Sequence, residues 1–106
     1  MFIQKILFIL FSFGTVFGQT TLSKVQPVKI EGVVVLEQSG KPVRDIHVYI
    51  VEGEEEDVTN NKGEFKIQTW HRFPLTLTAR SSNYEPVNIV VKDASKKLLI
   101  KLKPKQ

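Results

Sequence analysis

Leu75-Thr76-Leu77-Thr78-Ala79-Arg80 changes between apolar and polar at every step. A period of two belongs to a strand with one buried and one wet face, whereas a helix would need 3.6. The same alternation returns along the chain. In Ile46-His47-Val48-Tyr49-Ile50-Val51, residues 46, 48 and 50 point to a core, and His47, Tyr49 and Val51 point outward. Phe65 and Ile67 point inward between Lys66 and Gln68, and Leu98, Ile100 and Leu102 share a parity. In Val28 to Leu36, residues Val28, Ile30, Val34 and Leu36 form one face; Gly32 leaves a gap there for a bulge or a close-packed neighbour. Val58-Thr59 and Val87 to Val91 complete seven short runs rich in β-branched residues, which suit strands and not helices.

Turn chemistry separates the runs. Glu37 to Pro42 holds Gly40 for a positive φ and Pro42 for the exit. Asn60-Asn61-Lys62-Gly63 makes a tight hairpin turn. Ser81 to Pro86 and Lys92 to Lys96 read as turns, and Trp70 to Pro74 as a link. Five of the six residues from Glu52 to Asp57 are acidic, so this stretch is expected to be a loop or strand end. Many short strands at such spacing predict two sheets around one core.

The N-terminus is set apart. Lys5 precedes Ile6 to Phe17, which carries no charge. That is the pattern of a secretory signal peptide over residues 1–18, cleaved after Gly18 or, as second choice, after Gln19. The apolar run is shorter than the roughly 20 residues of a bilayer-spanning helix, so no membrane span is expected in the mature chain. Residues 19–27 read as a flexible leader, and 28–103 as one domain. With no cysteine, neither a lipid-attachment site nor a disulfide is available, so the core alone must stabilise the domain. Net charge is +4, and +3 without Lys5. Lys92 to Gln106 holds six lysines against Asp93 alone. In an exported protein these fit an exposed strand face that discourages edge-to-edge pairing better than they fit a nucleic-acid site.

Ile30-Glu31-Gly32-Val33-Val34, Gly40-Lys41-Pro42-Val43, Ile46 to Ile50, Thr59 to Ile67 and Tyr84-Glu85-Pro86-Val87, in this order, resemble the carboxypeptidase regulatory-like domains. The resemblance covers about residues 28 to 102. It implies an all-β, seven-stranded antiparallel Greek-key β-sandwich of transthyretin-like type. It also implies a non-catalytic module that stands beside peptidases, ahead of outer-membrane receptors or in cell-surface proteins. The chain ends at Gln106 with neither following, so a free-standing interaction or scaffold role in the envelope is expected. Asn83 stands where the family usually has Gly, and Asn can adopt the same left-handed conformation at some cost. Tyr84 is expected to hydrogen-bond a nearby backbone group as a tyrosine corner does. Phe17-Gly18-Gln19, closing the signal segment, resembles exported proteins of the Bacteroidetes group. Periplasm, cell surface or secretion are the expected places.

Chemistry is sparse. No Gly-x-Ser-x-Gly motif accompanies His47 and His71, and the Tyr-Arg-Gly-Ser end of the purine-pathway hydrolase that shares the transthyretin-like fold is absent. No enzyme, cofactor or resident metal is expected. His47, His71 and Glu52 would make a zinc set only if their loops met, and solvated histidines are the simpler expectation. Glu54 to Asp57 run consecutively, whereas calcium loops alternate their ligands, so a solvated loop is favoured over a calcium site. The candidate binding surface is Trp70, His71, Arg72, Tyr49, Glu54, Glu55 and Glu56. Aromatic and Arg side chains favour binding hot spots. The partner expected is an envelope or surface protein, or alternatively a glycan stacked on Trp70, with Arg72 and Tyr49 beside it. The blander reading has Trp70 capping one end of the sandwich and Phe73 in the core.

Overall fold

The computed structural model describes residues 26–106. The expected signal segment 1–18, and the leader up to residue 25, lie outside the described residues. Seven strands follow in order: β1 (Val28–Leu36), β2 (His47–Val51), β3 (Glu55–Val58), β4 (Glu64–Thr69), β5 (Leu75–Ser81), β6 (Tyr84–Val91) and β7 (Leu98–Leu102). They form two sheets, β4-β1-β7 and β3-β2-β5-β6. The alternating apolar positions meet between them. Ile30, Val34, Phe65, Ile67, Ile100 and Leu102 from the first sheet pack with Val48, Leu77, Ala79 and Val91 from the second and with Ile46 just ahead of β2. Phe73 and Tyr84 pack half-buried against this core.

The gap at Gly32 is filled by Phe65. The two are cross-strand partners in the β1–β4 ladder. A Cβ on Gly32 would lie 2.5 Å from Phe65 Cζ and 2.8 Å from the Leu98 carbonyl. The glycine is therefore the seat of the ring. The hairpin at Asn60 closes with Gly63 at φ 75°, and the Asn60 side chain accepts from the Lys62 and Glu64 N–H groups. Gly40 also has φ 75°, as its turn requires.

Several expectations are corrected. The Glu52–Asp57 stretch is not all loop, since Glu55 to Val58 pair with β2 as an edge strand. Thr59 ends no strand. It is buried, its hydroxyl donates to the Val43 carbonyl at 2.7 Å and it accepts from the Ile46 N–H at 2.9 Å. It thereby fixes the segment in which Asp45 takes φ 61°. Ser81 to Pro86 is not one turn. Only Ser82 and Asn83 turn, and β6 starts at Tyr84. Asn83 is not left-handed; among described non-glycine residues only Asp45 is. Tyr84 is held by backbone and not through a corner hydroxyl. It bridges Pro104, while Glu85 N–H donates to the Lys103 carbonyl and Lys105 N–H to the Asn83 carbonyl. Finally, β1 and β7 run parallel, the one departure from an antiparallel design among the described strands.

Candidate functional site

The acidic run organises the surface around β3. Successive side chains of a strand point to opposite faces, so its carboxylates divide between two clusters. Glu55 turns toward β4 and its side chain is only 10% exposed. It accepts from the Trp70 N–H at 3.1 Å and from His71 Nδ1 at 3.2 Å. Burial works to raise its pKa, but hydrogen bonds from the Thr69 hydroxyl, the Trp70 N–H and His71 hold it below the ordinary carboxylate value. Glu56 turns the other way. It accepts from His47 Nε2 at 2.7 Å and from the Gly53 N–H at 3.0 Å. Its pKa is also lowered, chiefly by the His47 hydrogen bond. Asp57 accepts the Val58 and Lys66 N–H groups, both at 2.8 Å.

Among the described residues, Thr69, His71 and Glu55 come nearest to a hydroxyl–imidazole–carboxylate set. The geometry rules out a relay. Thr69 Oγ1 (3.5 Å) and Glu55 Oε1 (3.2 Å) both meet the same ring nitrogen, Nδ1. A hydroxyl–imidazole–carboxylate relay needs the two ring nitrogens to serve different partners. Thr69 is also fully buried, so no substrate reaches its hydroxyl.

The second cluster covers the outer face of β2 and β5. His47 lies against Tyr49, with ring centroids 4.9 Å apart. The Arg80 guanidinium sits 5.6 Å over the Tyr49 ring and donates to Glu52 at 2.9 Å. The three groups of the conditional zinc set therefore take separate partners: His47 meets Glu56, His71 meets Glu55, and Glu52 meets Arg80.

The predicted surface thus splits. Trp70, just past the end of β4, is 63% exposed. With Glu54, Glu55, Glu56 and Gln68 it lines an open concavity of about 420 Å³. His71 is tied to its rim through Glu55. Tyr49 and Arg72 do not line it, so Trp70, Arg72 and Tyr49 do not form one stacking platform. Sequence reasoning missed Arg80 and Asp57. The Arg at the end of the alternating run and the Asp at the end of the acidic run were the available signals, but their partners are 28 and 9 residues away.

Compared with family models, residues 30–106 match the CarboxypepD_reg-like domain. The match opens two residues inside β1 and takes in every later strand. The chain belongs to this family. CarboxypepD_reg-like domains are generally non-catalytic. No curated protein matches the chain. Among solved structures, a 9R-lipoxygenase from Cyanothece PCC8801 is similar at 17% identity and a TM-score of 0.45. The alignment covers 81% of this chain and 17% of that protein, and a likeness of that size carries no argument.

Proposed function

We propose that the protein is a non-catalytic interaction or scaffold module of the cell envelope, reaching its place by export. One observation carries this reading. Among the described residues, the histidines, Arg80 and Asp57 are engaged in holding the fold: His71 on Glu55, His47 on Glu56, Arg80 on Glu52, and Asp57 on two backbone N–H groups. What the domain offers to a partner is therefore surface. The uncharged segment from Ile6 to Phe17 after Lys5 supports export. A partner protein fits better than a glycan, because the aromatic residues are divided between two places.

The test is a crosslinking pull-down of the tagged protein from its own envelope fraction. One envelope protein should be recovered in stoichiometric amount, and the purified domain should show no hydrolase activity. Recovery of no partner, or a hydrolase activity abolished by His71→Ala, would sink the reading.

A further inference from the structure

The two seams between the sheets are closed in different ways. At the β3–β4 seam, the free edge of β4 is sealed by side chains. Glu64 N–H donates to Asn60 Oδ1 (2.9 Å), Lys66 N–H to Asp57 Oδ2 (2.8 Å) and Trp70 N–H to Glu55 Oε2 (3.1 Å). At the β6–β7 seam only one end is closed, by the backbone pairing of residues 83–85 with 103–105. Beyond it, among the described residues, β6 pairs with β5 alone.

The direction of the free groups follows from the pleat. Glu85 N–H points away from β5, toward Lys103. Alternate residues of a strand present their backbone groups to the same side. Glu85 and Pro86 together lie opposite Arg80, a bulge that breaks this alternation. Beyond it Val87 and Ile89 pair with Ala79 and Leu77, whose backbone groups face β6 from the Ser81–Tyr84 turn onward. Asn88 and Val90 therefore turn both N–H and C=O to the open edge. Pro86 sits in that bulge and has no N–H to offer, so the open stretch lies beyond it. Val87, Ile89 and Leu98 lie there half-buried against the core. An exposed edge of this kind is a template for an added strand.

Charge selects the occupant. Lys92, Lys96, Lys97, Lys101, Lys103 and Lys105 are all exposed in or just beyond this seam, with Asp93 the only acidic residue between Lys92 and Gln106. A second copy would bring lysines against lysines, which opposes self-pairing. We propose that the Val87–Val91 edge of β6 receives an acidic, extended segment of a partner protein as an added strand. The proposal rests on the interaction-module reading and specifies where the partner docks.

The experiment follows amide exchange in the isotope-labelled protein with two peptides, one alternating valine and glutamate and the other valine and lysine. The acidic peptide should slow exchange of the Asn88 and Val90 amides about tenfold. High salt should weaken the effect, and Lys96→Glu/Lys97→Glu, in an exposed turn, should abolish it. Equal binding of the basic peptide, protection confined to the Trp70 concavity, or a self-associated protein already protected at Asn88 and Val90 would each overturn it. In the envelope pull-down, crosslinks from Lys92, Lys96 or Lys97 to an acidic segment support the proposal. Crosslinks from other lysines alone overturn the β6 assignment but leave the module reading standing, whereas recovery of no partner removes that reading itself.

Discussion

Two residue contacts decide the local packing. Phe65 lies on Gly32, and the gap in the first run's apolar parity already pointed to such a neighbour. Phe65→Ala removes a buried ring and should cost about 3–5 kcal/mol. Gly32→Ala drives a methyl into that ring and into the Leu98 carbonyl, and should cost about 1–3 kcal/mol. Urea midpoints read both, with unchanged slopes if the fold survives. Thr59 was not legible in the same way. A lone Thr before Asn60 looks like the end of a strand, and only the fold reveals that its hydroxyl serves Val43 and Ile46, 16 and 13 residues away. Thr59→Val keeps the shape and strands a buried carbonyl and N–H. It should destabilise by roughly 2–4 kcal/mol in the same denaturation.

At the level of elements, β3 shows where a charge argument misleads. Five acidic residues in six positions repel one another when considered alone. The repulsion is offset by groups from elsewhere in the fold: His47, His71, Arg80 and the N–H groups of Lys66 and Trp70. These partners are non-local, so the alternation of β3 is masked by its composition. Tyr84 to Pro86 misled similarly, because a proline in a strand reads as a break unless the strand lies at an edge or an irregular register. The β3 arrangement predicts a pH dependence. Glu55 has a lower pKa in the folded state than the ordinary 4.5. On acidification the unfolded chain therefore takes up its proton first. The stability from Glu55 is complete above about 4.5 and is lost as pH falls through the lower folded value. Glu55→Gln should flatten the acid limb of a Tm-against-pH curve while lowering Tm at neutral pH. A limb as steep as in the unsubstituted protein would show that Glu55 does not anchor β4.

Over the whole molecule, alternation and turn residues made the two-sheet sandwich legible, and the family match bears that out. They did not show that β7 lies parallel to β1, because side-chain period is the same in either direction and this pairing joins the two ends of the domain. Nor could they show that the seams differ. That difference is the centre of the functional account: carboxylates and an asparagine cover the edge of β4, and the edge of β6 stays open amid lysines. Residue-resolved amide exchange on the free protein tests it most directly. Asn88 and Val90 should exchange about tenfold or more faster than Lys66 and Trp70, whose N–H groups are bonded to Asp57 and Glu55. Equal protection at the four amides would mean that the β6 edge is already covered, and would contradict the account.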